Sequence, residues 1–167
     1  MDLGVTINRK ATSDSCRFPD LFEGFERVEA VRQIFGPRTK QTLKDVRILL
    51  SPRRGYLHVD NDTGDIIISA PYLKTAAERE FYLDLIHELV HVRQFKEGKD
   101  LFDNKYSYVD RPTEIEAYAL TVEEARRIGM TEPEIVDYLE VEWVDGDEFK
   151  RLLNAVGIRR KSKSKPT

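Results

Sequence analysis

The chain has 167 residues, 40% hydrophobic and 34% charged, with 9 Gly and 7 Pro, a length that buries roughly 70% of the unfolded surface and leaves no room for a second full domain. This composition excludes collagen-like, low-complexity and largely disordered chains, and apolar runs such as residues 66–68 are far too short to cross a bilayer. The formal charge is −3, yet Arg159, Arg160, Lys161, Lys163 and Lys165 put five cations into the last nine residues and leave −8 on the remainder, which argues against nucleic acid as the main partner.

Residues 1–20 show no sustained period and include Pro19, Asp14 and several hydroxyl side chains, which predicts an irregular arm. Cys16 is the single cysteine, so no internal disulfide forms. With no apolar segment behind Met1-Asp2-Leu3, a cytoplasmic location is expected. Leu21, Phe25, Val28, Val31, Ile34 and Phe35 recur at spacings of three and four, predicting an amphipathic helix over 21–35 that Gly36-Pro37 stops. Three short β-branched or aromatic stretches follow, 46–50, 56–59 and 65–69, separated by Pro52-Arg53-Arg54-Gly55 and Asn61-Asp62-Thr63-Gly64. They predict a small antiparallel meander. Pro71 ends the third strand and favours a sheet edge, so the segment 65–70 is expected to align an extended peptide by strand addition.

Thr75-x-x-Glu78 reads as a capping box for a long helix over 76–97, which Gly98 terminates. A further helix runs from 111 or 112 to 127, with Pro112 allowed in its first turn, and two shorter ones are expected over 132–144 and 147–156. The expected fold is α+β, a small, mostly antiparallel sheet packed on helices, forming one domain over 21–157. The basic segment 158–167 is expected to be a disordered tail.

The long helix contains His87-Glu88-Leu89-Val90-His91. At about 100° per residue, a spacing of four returns the second imidazole to the face of the first, one turn further on, so both reach one ion. Asp84, Glu88 and Gln94 share that arc, whereas Leu83, Leu85, Ile86, Leu89, Val90 and Val92 lie mostly opposite. A metal site is therefore favoured over two histidines sharing a helix by chance. Asp84 and Gln94, about one turn to either side, are candidates to hold an imidazole tautomer or are simply part of a polar face. Arg93 falls among apolar positions and needs an acidic partner that the sequence does not identify.

Two imidazoles leave a tetrahedral zinc one protein ligand short of a catalytic set. His58 and Cys16 are possible sources, and the helix after the loop is a better one. There Arg111-Pro112-Thr113-Glu114-Ile115-Glu116-Ala117-Tyr118-Ala119 offers two carboxylates among small residues that permit close approach.

Through His87, Glu88, His91 and the segment Glu114-Ile115-Glu116-Ala117-Tyr118, a span of about residues 84–121, the chain resembles the compact, single-lobed gluzincin metallopeptidases. In that family HExxH supplies two zinc ligands and a glutamate on a following helix supplies the third. The resemblance implies a minimal zincin-like core holding one Zn2+ per chain through His87, His91 and Glu114. It also implies peptide-bond hydrolysis in a peptide or protein substrate by a metal-activated water, with Glu88 as general base. The family's second helix often reads E-x-E-A-D, and Tyr118 stands where its aspartate orients a ligand histidine.

Glu116 is the rival third ligand, although Thr113-x-x-Glu116 also reads as a capping box, a structural task that favours Glu114. An oxyanion stabiliser is expected, with Tyr106, Tyr108 and Tyr118 as candidate phenols, although a tyrosine buried near a metal site more often serves packing. Cys16-Arg17-Phe18-Pro19-Asp20 is similar to the C-x-x-P-D part of the matrixin latency switch, in which a thiolate occupies the zinc; a free thiol is the simpler reading. The donor set also admits iron, cobalt or manganese. The competing function is a non-catalytic metal-binding or regulatory interaction module on the same scaffold, and Glu88 itself counts against it. No nucleic-acid or membrane partner is expected.

Overall fold

Phe18, Phe22 and Phe25 pack ring against ring at centroid separations of 5.0, 5.3 and 6.1 Å, and this buried knot breaks the helix expected over 21–35. In the computed structural model, which describes residues 2–12 and 14–159, the chain opens with β1 (Thr6–Ile7), β2 (Ser15–Arg17), α1 (Phe18–Leu21) and β3 (Phe22–Glu23). A 3-10 turn, Phe25–Arg27, then leads to α2 (Glu29–Phe35). Gly24 sits at the break with φ of 90°, and a Cβ there would lie 2.7 Å from the Gly4 carbonyl oxygen, so only glycine fits.

The irregular arm expected for residues 1–20 is corrected by the same region. β1 pairs antiparallel with β3, and β2 with the strand Arg47–Ser51, setting Cys16 opposite Ile48. Strands of two and three residues are too short to show a period, and only their partners give them an identity.

After α3 (Thr39–Asp45) come β4 (Arg47–Ser51), β5 (Leu57–Val59) and β6 (Ile66–Ser69), assembled in the order β2-β4-β6-β5. β4 and β6 are parallel and the other pairs antiparallel, so the sheet is mixed and not a meander. Burial explains the exchange. Ile66 and Ile68 are inaccessible to solvent and take the centre, while β5, with exposed His58, takes the edge. The edge open to an extended peptide is therefore β5, not the expected segment 65–70. Pro71 lies instead in the first turn of α4 (Ala70–Thr75), where its missing N–H costs nothing, and the Ser69 Oγ accepts the Tyr72 N–H to cap that helix.

Thr75 closes α4, its hydroxyl donating to the Pro71 carbonyl at 2.9 Å, so the expected capping box with Glu78 does not form. The long helix α5 (Glu78–Lys96) follows. A 3-10 turn, Tyr108–Asp110, leads into α6 (Pro112–Arg127), then α7 (Glu132–Leu139) and α8 (Gly146–Ala155). α7 does carry a capping box, between Thr131 and Glu134, but stops at Leu139, leaving 140–145 as a connection where helix was expected to continue to 144. α5 is buried on nearly every face, against β5, α2 and α6. Ala117 and Ala125 are fully buried on α6, the small residues that let the two helices approach. The basic tail expected over 158–167 falls, from 160 onward, outside the described residues. Among the described residues no helix is long and apolar enough to cross a membrane.

Candidate metal centre

Where α5 faces the first turn of α6, the His87 Nε2 lies 3.1 Å from a Glu114 carboxylate oxygen and the His91 Nε2 lies 3.1 Å from the other. The two Nε2 atoms are themselves 3.1 Å apart. All three residues are buried, at 7%, 5% and 6% exposure. Each of the three side chains offers one ligand atom within 4.8 Å of the others, and since bonds of about 2.0–2.1 Å to a tetrahedral zinc would place its ligand atoms about 3.3 Å apart, the set is close enough to hold one such ion. It is the group of metal-capable side chains found among the described residues, and two imidazole nitrogens with one carboxylate oxygen are a donor set that zinc accepts.

Without an ion, the three side chains share charge among themselves. Burial opposes ionisation of Glu114, but hydrogen bonds from both imidazoles overcome it and hold the carboxyl well below the usual range. Burial pushes His87 down and keeps it neutral. It also acts against the His91 cation, yet the hydrogen bond to Glu114, helped by the Glu88 charge, raises His91 to about 9.

Gln94 fixes His91 from behind. Its Oε1 accepts the His91 Nδ1–H at 2.7 Å, while its Nε2 donates to the Thr113 carbonyl at 2.9 Å and to Glu116 at 2.8 Å. This leaves Nε2 aimed at the site and ties α5 to the start of α6. Gln94 is fully buried, and removing the acceptor strands an N–H. Gln94→Leu is expected to weaken zinc binding 10- to 100-fold, measurable by competition against a chromophoric chelator, with the fold retained by circular dichroism.

The same network assigns Glu116. It accepts from Gln94 and from Arg93, which also pairs with Glu97, so the carboxylate that rivalled Glu114 is the acidic partner Arg93 required. The Thr113 capping box does not form, because α6 is capped at Arg111 without a side-chain bond.

Glu88 is 8% exposed. It accepts a hydrogen bond from the backbone of Val59 on β5, and its Oε2 has no partner. Burial, with the charges of Glu114 and Asp84 adding to it, pushes Glu88 up to about 8 despite the neighbouring His91.

Asp84 does not hold an imidazole. It accepts from the hydroxyls of Tyr72 and Tyr138, the latter at 2.6 Å, and burial raises it to about 6. Tyr118 lays its ring 4.3 Å from that of His87 and shares a 2.7 Å hydroxyl bond with Tyr108. It gives the His87 Nδ1 no acceptor, and that buried nitrogen has no partner among the described residues.

Two cavities flank Glu88. The larger, about 280 Å³, is bordered by His87, Tyr108 and Tyr118, and the smaller, about 180 Å³, by His58, Val59 and Phe102. Of the phenols considered for an oxyanion, Tyr108 and Tyr118 border these cavities and Tyr106 does not. His58 lines the smaller one without joining the ligand triangle. Cys16 lies on β2, at the opposite edge of the sheet from β5, and is no part of the cluster, which removes the latency-switch reading. Burial, with the charge of Asp20, raises its thiol.

The Val59 contact had no signal in the sequence, since any residue supplies a backbone N–H. Trp143 and Tyr138, which border the larger cavity, were hidden within a segment read only as helix. Compared with protein-family models, curated proteins and solved structures, the chain matches none.

Proposed function

We propose that the protein is a zinc-dependent metallopeptidase built on a minimal zincin-like core. The observation that carries this reading is the convergence of His87, His91 and Glu114, each imidazole Nε2 lying 3.1 Å from a different Glu114 oxygen, beside a buried Glu88 whose Oε2 has no partner among the described residues. A divalent metal held by those three side chains would supply Lewis-acid activation of water and of the substrate carbonyl. The chain's own residues perform the remaining tasks. Glu88 takes a proton on Oε2 and returns it to the leaving amine, while its bond to Val59 keeps the carboxylate aligned with the edge strand. The outer edge of β5 pairs with an extended peptide. The paired hydroxyls of Tyr108 and Tyr118 donate to the developing oxyanion.

A purely structural metal module on the same scaffold would have no use for a buried, unpartnered carboxylate, whose desolvation is costly unless it does chemistry. The test uses the full chain. It should carry about one zinc per molecule by elemental analysis and cleave unstructured peptides, detected by mass spectrometry, with chelator abolishing cleavage and zinc restoring it. Protein that takes up no metal at neutral pH sinks this reading.

A further inference from the structure

Resting on the peptidase reading, a second feature points to the class of substrate. The larger cavity beside Glu88 is bordered by five further carboxylates: Glu80 and Asp84 from α5, Asp137 from α7, and Glu140 and Glu142 from the connection to α8. Among the described residues, no Lys or Arg borders it. Several acids elsewhere pair with arginine: Glu134 with Arg79, Glu132 with Arg126, Glu124 with Arg127 and Asp110 with Arg151. Glu80, Asp137, Glu140 and Glu142 form no ion pair among the described residues. Arg79, the neighbour of Glu80 in sequence, turns away to Glu134.

The remaining wall is aromatic. Tyr56 packs on Tyr72 at 5.1 Å and on Trp143 at 5.5 Å, and Trp143 and Tyr56 stay half exposed at the rim. Tyr72 and Tyr138 both donate to Asp84 and hold that carboxylate in place. Glu88, more than nine-tenths buried, also lines the cavity, and its Oε2 has no partner among the described residues.

We propose that this cavity is a specificity pocket for a cationic side chain, arginine or lysine, next to the bond to be cleaved. Carboxylates that pair with no cation among the described residues recognise the charge, and aromatic faces recognise it a second time through cation–π contact. At about 280 Å³ the space suits one long side chain better than a larger ligand.

Trp143 is the only tryptophan in the sequence and borders the pocket, so its fluorescence reports occupancy without catalysis. The full-length protein, kept in chelator, is titrated with acetyl-Ala-Arg-Ala-amide, with the citrulline peptide of the same shape and no charge, and with the glutamate peptide. Calorimetry runs in parallel. The arginine peptide should bind at least tenfold more tightly than the citrulline peptide, and the glutamate peptide most weakly. E140Q/E142Q, whose positions are exposed, should keep the parent circular dichroism and reduce the arginine preference several-fold.

Equal binding of arginine and citrulline, an unchanged preference in the double variant, or no binding of any peptide by either method overturns the pocket, whatever the peptidase assay gives. Selective arginine binding by a protein that cleaves nothing even with zinc upholds the pocket and removes the peptidase reading.

Discussion

Glu88→Gln should keep its zinc and lose hydrolysis, with kcat/KM falling by a factor of about 10² to 10⁴. The substitution preserves the shape of a side chain buried between α5 and β5, and the amide oxygen can still accept the Val59 N–H. It removes the one basic oxygen that faces the cavities without a partner. Glu88 is absent from the ligand triangle, so the metal content should remain near that of the parent. Elemental analysis and peptide hydrolysis on the same preparation separate the possibilities. Undiminished cleavage would remove Glu88 from the proton transfer, and loss of zinc together with activity would make it a determinant of the metal site.

The same substitution should change how the metal-free protein responds to pH. Glu88 rises from 4.5 to about 8 on folding. Between those values the native state holds a proton that the unfolded state has released, so stability falls as pH rises through this window. The full difference approaches about 5 kcal/mol as an upper limit. Asp84, raised from 3.8 to about 6, acts in the same direction at lower pH. His91, raised from 6.5 to about 9, contributes stability that is complete below 6.5 and disappears as pH climbs through 9. Glu114, held low, contributes above 4.5 and loses its effect only in acid.

His87, held neutral by burial, works the other way below 6.5, so urea denaturation in chelator should show stability declining from about pH 6.5 to about pH 9. In Glu88→Gln the part between 4.5 and 8 should be missing, leaving the variant the more stable protein near pH 8.5 and close to the parent near pH 5. A parent whose stability is flat or rises across this range would refute the assignment of buried charge. Zinc reverses the trend, because binding requires His91 to give up its proton. Affinity should climb with pH up to about 9.

Some of this was available from residue spacing alone. Four residues of α-helix bring two side chains onto one face whatever surrounds them, so His87 and His91 had to converge once the run from Glu78 to Lys96 was helical. The positions of β4, β5 and β6 were legible for a similar reason: turn residues and β-branched runs act locally.

Pairing was not local. The exchange of β5 and β6, the recruitment of Cys16 and its neighbours as a fourth strand, and the break at Gly24 all depend on which surfaces meet in the core. So does the choice between Glu114 and Glu116. Two positions apart on one helix, they point in different directions, and only the docking of α6 on α5 turns one toward the imidazoles and the other toward Gln94 and Arg93. The sequence by itself determined that His87 and His91 share one face of α5, because a helix sets its own periodicity. Tertiary structure decided the third side chain, the edge strand and the acidic pocket, because these join segments whose proximity no local interaction encodes.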